Sequence, residues 1–133
     1  MRTVLLGCGH IGQTIAHLLA ECGEGRDYQV TIADRDAAAL QAIAGVHAEK
    51  AVVDSADPQA LAALLRRADV VINALPYHMA TSVATVARQT GTHYFDLTED
   101  VQATRAIAAL AEGAPCAFMP QCGLAPGFIG IAA

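Results

Sequence analysis

Charge is scarce in this sequence. Asp, Glu, Lys and Arg make up 16% of it, against 54% hydrophobic residues. That balance excludes a disordered chain and leaves ample material for a core. Long uncharged apolar runs are absent too. No stretch reaches the 18 or so residues of a transmembrane helix, so no membrane partner is expected. Arg2 precedes Thr3-Val4-Leu5-Leu6, but that run is short and lacks a small-residue cleavage pattern, so it is not read as a signal peptide. Basic residues are outnumbered 8 to 13, for a net charge of −5, which argues against nucleic acid as a partner. Cys8, Cys22, Cys116 and Cys122 form no C-x-x-C pair. They are expected to be reduced, mostly buried thiols of a cytoplasmic protein, with no metal site. No internal repeat, linker or Ser-His-Asp arrangement emerges. A chain of 133 residues fits one domain, spanning 1–133.

Glycine, by contrast, is concentrated where it carries information. Gly7-Cys8-Gly9-His10-Ile11-Gly12 follows the apolar run and opens the helical pattern Ile11, Ile15, Leu18, Leu19. This is G-x-G-x-x-G at a strand-to-helix junction. Gly7 permits a tight turn, Gly9 lets a pyrophosphate approach the backbone, and Gly12 lets the helix pack closely. The amides at His10 and Ile11 open the helix, whose positive dipole end faces the anion. Val30-Thr31-Ile32-Ala33 reads as the next strand. Asp34 closes it about 20 residues beyond the motif, where an acid accepts hydrogen bonds from an adenosine ribose.

Strand and helix signals then alternate. The first helix is predicted from about His10 to Cys22, with Gly23 as its cap. Tyr28 to Ala33 is the second strand, and Asp36 caps a helix ending near Gly45. Ala48 to Val53 is the third strand. Asp57 caps a helix with Pro58 at its first position and Leu61, Leu64 and Leu65 on one face. Val70-Val71-Ile72 reads as a buried parallel strand. A helix follows over Met79 to Thr90, then a strand at His93-Tyr94-Phe95. Another helix starts at Thr98, with Glu99 and Asp100 in its first turn. Ala117-Phe118-Met119 is the sixth strand. Repeated β-α units imply an α/β, Rossmann-like, doubly wound and mostly parallel six-stranded sheet with helices on both faces.

Ligands of such sheets bind at the carboxyl ends of the strands, near the switch in strand order. Asp34 is the candidate for the ribose hydroxyls. Its charge repels a 2′-phosphate and favours NAD, whereas Arg35 beside it either pairs with the phosphate of NADP or lies across the adenine. Asp54 is placed either to bond the adenine amino group or simply to lead a helix. Asn73 ends the fourth strand on the nicotinamide side, and a buried Asn needs partners. Pro76 fixes the following turn. His10 and His78 lie nearest the expected cleft without a sequence-adjacent carboxylate, so no catalytic residue is assigned. His17 and His47 read as surface residues, His93 as structural, and Cys8 as a packed, inert thiol.

Three later segments carry a resemblance: Asp69-Val70-Val71-Ile72-Asn73-Ala74-Leu75-Pro76-Tyr77-His78-Met79-Ala80, Tyr94-Phe95-Asp96-Leu97-Thr98, and Gln121-Cys122-Gly123-Leu124-Ala125-Pro126-Gly127-Phe128. They resemble the N-terminal NAD(P)-binding domain of the saccharopine dehydrogenase, saccharopine reductase and lysine 6-dehydrogenase family. The resemblance implies NAD(P)-linked chemistry at a carbon–nitrogen bond of an amino acid. It places Asn73, Ala74, Leu75 and Pro76, with Cys122, Gly123 and Leu124, beside the nicotinamide. It also implies a substrate domain beyond this chain, so the isolated fragment is expected to bind cofactor without turnover. The apolar tail Phe128 to Ala133 either frays or packs on a second copy, and a homodimer is the favoured expectation. The glycine segment is also similar to the start of nucleotide-sensing regulatory domains of potassium transporters and channels, which are non-enzymatic. Those domains offer no counterpart of Gly123-Leu124-Ala125-Pro126-Gly127.

Overall fold

The computed structural model describes residues 1–21, 27–123, 127 and 129–132. Six parallel strands form one sheet in the order β3-β2-β1-β4-β5-β6. They are β1 (Arg2–Leu6), β2 (Gln29–Asp34), β3 (Glu49–Val52), β4 (Val70–Asn73), β5 (His93–Asp96) and β6 (Phe118–Met119). The helices are α1 (His10–Glu21), α2 (Ala37–Ala42), α3 (Pro58–Leu65), α4 (Ala80–Thr90), α5 (Val101–Ala111) and α6 (Ile129–Ala132). Strand order reverses between β1 and β4, the switch point expected of a doubly wound sheet.

Alternation along β1 divides the interior in two. Val4 and Leu6 pack with Leu61 and Leu65 of α3, Val83 and Ala87 of α4 and Ile107 of α5. Leu5 points the other way, onto Ala16 of α1, Leu40 of α2, and Ile43. The second face is covered only in part. Phe95 is half-buried and Met119 is 51% exposed there, whereas Tyr94 and Phe118 on the opposite face pack into the first core.

The aspartate caps form as the sequence requires. Asp36 Oδ1 accepts from Ala38 N and Ala39 N, and Asp57 Oδ1 from Gln59 N and Ala60 N, with Pro58 at the start of α3. Several boundaries differ from expectation. Helix α2 stops at Ala42 rather than near Gly45, because Ile43 turns extended and drops into the second core, 5% exposed. Helix α4 begins at Ala80, after a 3-10 turn over Tyr77–Met79 that Pro76 leads. Helix α5 starts at Val101, not Thr98: its cap is Asp100, which accepts from Ala103 N at 2.7 Å. Thr98 is instead drawn into a tight turn, its amide donating to Asp96 Oδ1 at 3.1 Å. Strand β3 is shorter than Ala48 to Val53. The expected cap Gly23 and Cys22 lie outside the described residues. Of the other cysteines, Cys8 is buried, Cys116 half-buried and Cys122 exposed, so burial is not the general rule expected of them.

Candidate functional site

The glycine loop leaves β1 and enters α1 under tight constraint. Gly7 adopts φ +95°, and a Cβ there would stand 3.0 Å from the Ala74 carbonyl oxygen. A Cβ on Gly12 would fall on the carbonyl of Gly7. Only a residue without a side chain lets α1 approach this closely. Gly9 differs from both: a Cβ there meets nothing within 4 Å. The loop is therefore packed on its inner side and open at Gly9, the geometry of an anion cradle at a helix N-terminus.

Asp34 is joined to this loop. Its Oδ2 accepts from Cys8 N at 2.9 Å and its Oδ1 from Asp36 N at 2.9 Å. Burial pushes the Asp34 carboxyl up, but hydrogen bonds from Asp36, Cys8 and Arg35 outweigh it and hold the group below its ordinary value. The charge is thus fixed at the end of β2. The same carboxylate acts on Cys8. Burial first, then Asp34, push its thiol up to about 11, so the helix N-terminus does not activate it. Cys8 is the packed thiol that its position in the loop suggests.

Across the switch point, the turn after β4 meets the glycine loop. Ala74 N donates to Leu6 O at 2.9 Å. Asn73 is 2% exposed; its Oδ1 accepts from Leu75 N at 3.1 Å, and its Nδ2 donates to Tyr94 Oη at 3.2 Å. A cleft of about 310 Å³ opens here, lined by Ile11, by Asn73 to Leu75, by Tyr77 and by Asp96 to Glu99. Ile11, 61% exposed, offers an apolar side chain to this cleft.

The structure thus brings Gly7, Gly9, Gly12, Ile11, Asp34, Asn73, Ala74 and Leu75 together. Other candidates sit farther out. His10 and Arg35 are exposed beside the loop and beside Asp34. Asp54 follows the edge strand β3, exposed, and its Oδ1 accepts from Ala56 N. Pro76 is exposed and heads the 3-10 turn. Cys122 does not line the cleft, but its amide donates to Asp96 O at 2.8 Å; a Cβ on Gly123 would stand 3.1 Å from Leu97 O. Leu124 lies outside the described residues. His93 is structural, its Nδ1 accepting from Ala117 N at 3.0 Å.

Tyr94 and Asp96 stand in one of the segments that carry the resemblance, but the sequence reading assigns them no site role and no pairing. Tyr94 Oη donates to Asp96 Oδ2 at 2.7 Å, with both side chains fully buried. A partial signal was available: positions two apart on a strand share a face, and a Tyr and an Asp on one buried face each need a hydrogen-bond partner.

A family model described as "Saccharopine dehydrogenase NADP binding domain" matches residues 3–117. The chain belongs to that family. It is an NAD(P)-binding Rossmann domain. Among solved structures, the domain is 30% identical to saccharopine dehydrogenase (L-Glu forming) from Saccharomyces cerevisiae, with a TM-score of 0.83 over 98% of this chain and 29% of that one. The chain thus spans well under half of that relative's length. An NAD-binding oxidoreductase from Klebsiella pneumoniae is 25% identical, with a TM-score of 0.66 over 90% of this chain and 33% of that one. The WlbA dehydrogenase from Bordetella pertussis, solved with NADH and UDP-GlcNAcA, is 21% identical, with a TM-score of 0.70 over 90% of this chain and 36% of that one; at that identity it shows the fold alone. The family match covers the glycine loop and the segments over residues 69–80 and 94–98 and ends before residues 121–128; it favours the dehydrogenase resemblance over the potassium-transport one.

Proposed function

We propose that this domain binds NAD(H) in preference to NADP(H), for an oxidoreductase acting on a carbon–nitrogen bond of an amino acid. The observation that carries the cofactor reading is the bond from Cys8 N to Asp34 Oδ2. It holds a carboxylate against the glycine loop, where the adenosine ribose of a bound dinucleotide would lie. Each Asp34 oxygen keeps a lone pair for a ribose hydroxyl. A 2′-phosphate at the same place meets a fixed negative charge. The family's description names NADP, and Arg35 is the residue that would serve it; the Asp34 carboxylate, held on the glycine loop by Cys8 N, favours NAD here.

In this reading the amides at His10 and Ile11 and the open side of Gly9 receive the pyrophosphate. Asn73, Ala74, Leu75 and Pro76 border the nicotinamide half, with Cys122, Gly123 and Leu124 opposite. The nicotinamide, when bound, donates or accepts the hydride. The amino-acid substrate would be held mainly by a further domain, so the chain alone should bind cofactor and turn over neither lysine nor saccharopine. Fluorescence titration tests the preference. NADH should bind more tightly than NADPH, and Asp34→Ala should weaken NADH by about 1.5–3 kcal/mol, the scale of hydrogen bonds to a charged group. Tighter NADPH binding by the unmodified chain would assign the dominant role to Arg35.

A further inference from the structure

A buried chain of hydrogen bonds runs beneath the cleft and ties three segments that follow different strands. Asn73 ends β4 and Asp96 ends β5, side by side in register. Asn73 Nδ2 donates to Tyr94 Oη, and Tyr94 donates to Asp96 Oδ2. Asp96 Oδ1 accepts from two backbone amides, Thr98 N at 3.1 Å and Gln121 N at 3.0 Å. The Asp96 carbonyl accepts from Cys122 N. Gln121 has φ +64°, the one positive φ of a non-glycine among the described residues. Side-chain-bearing residues keep that conformation when their surroundings hold it. Here the holding group is Asp96, through its side chain at Gln121 and its backbone at Cys122.

Asp96 is 1% exposed, yet it contributes to the cleft wall beside Asn73 and Thr98. We propose that Asp96 is a positioning residue for the nicotinamide half of the dinucleotide, fixing the turn Asn73–Leu75 and the segment Gln121–Gly123 in one arrangement. The proposal rests on the dinucleotide reading above. Both carboxylate oxygens accept, from three donors in all. An amide at this position keeps the two backbone donors only by turning its NH₂ to Tyr94, whose hydroxyl must then give up its 2.7 Å bond to the charge and donate to the Ala80 carbonyl at 3.2 Å instead. Burial pushes the Tyr94 phenol up, so Tyr94 remains the donor at neutral pH. The half of the site built on Asp34 and the glycine loop shares none of these bonds.

That division gives the test. Asp96→Asn and Tyr94→Phe are titrated with NADH and NADPH, and with ADP-ribose and its 2′-phosphate, which lack the nicotinamide. Asp96→Asn should weaken the better-bound dinucleotide about tenfold, the scale of one lost hydrogen bond to a charge, and change its nicotinamide-free counterpart by less than about twofold. Tyr94→Phe should show the same selectivity with a smaller loss. Its ring packing against Phe118, with centroids 5.8 Å apart, does not depend on the hydroxyl, so Tyr94→Phe decides the question if Asp96→Asn does not fold. Equal losses for both kinds of ligand, or unchanged dinucleotide binding in the variants, overturn the proposal and leave Asp96 a core residue. Failure of the unmodified chain to bind any of the four ligands overturns the dinucleotide reading itself, before any substitution is compared.

Discussion

Three glycines in one loop are under three different constraints, and substitution separates them. A methyl at Gly12 falls on the Gly7 carbonyl, so Gly12→Ala must push α1 away from β1. Overpacking of that kind costs about 1–3 kcal/mol, measurable as a lowered midpoint in urea. A methyl at Gly9 meets no protein atom within 4 Å. Gly9→Ala should therefore unfold within about 0.5 kcal/mol of the unmodified chain and still lose NADH affinity in titration. Undiminished binding by Gly9→Ala would remove the pyrophosphate from this loop. The loop was legible in the sequence because its constraints are local: a backbone that must turn, pack and admit an anion leaves few residues to choose from. Tyr94 and Asp96 were not legible as a pair with Asn73, because that contact depends on β4 and β5 lying in register, which no local pattern states.

Elements announce their beginnings better than their ends. Asp36 and Asp57 mark the starts of α2 and α3 because a short carboxylate satisfies the first free amides. Asp57→Ala should accordingly cost about 1 kcal/mol in a denaturant melt. The start of α5 is ambiguous in the sequence because Thr98 and Asp100 can both cap it; the buried Asp96 carboxylate, a tertiary partner, takes the Thr98 amide and leaves the cap to Asp100. Strand pairing has its own electrostatic clamp. Arg2 N donates to Asp69 Oδ2 at 2.8 Å, and Arg2 Nη2 to Asp69 Oδ1 at 2.7 Å, where β1 and β4 begin. Arg2 holds the Asp69 carboxyl at about 2, below its usual 3.8. A carboxyl lowered by folding adds stability that is fully present above pH 4 and lost as pH falls toward 2. Asp69→Asn should thus be slightly less stable than the unmodified chain at neutral pH. Urea melts across pH should show that difference closing between pH 4 and pH 2; a constant gap would assign no role to the ion pair.

At the scale of the molecule, the alternation of strand and helix was enough to specify a parallel doubly wound sheet, since each crossover must be right-handed. What surrounds the sheet was less legible. Ile129 and Ile131 of α6 are 52% and 87% exposed, apolar side chains of the kind that associate when they lack a covering partner. We propose that they pair with a second copy in solution. Deleting residues 127–133 should shift sedimentation toward monomer and leave NADH affinity nearly intact. An unchanged association state would exonerate the tail, and lost NADH binding would place it in the cofactor site.

The central place of β1 reaches beyond its role in topology. It is bonded to β2 on one side and β4 on the other, and its side chains enter both cores. A fluctuation that frees its amides has to disrupt both cores at once, whereas the amides of edge strand β3 can open alone. In deuterium exchange, β1 should therefore be among the last segments to take up label, at a rate set by global unfolding. The glycine loop grows directly out of that strand. Its shape is inherited from the slowest-opening part of the domain, so the cradle is in place before any anion arrives, and little ordering entropy opposes binding.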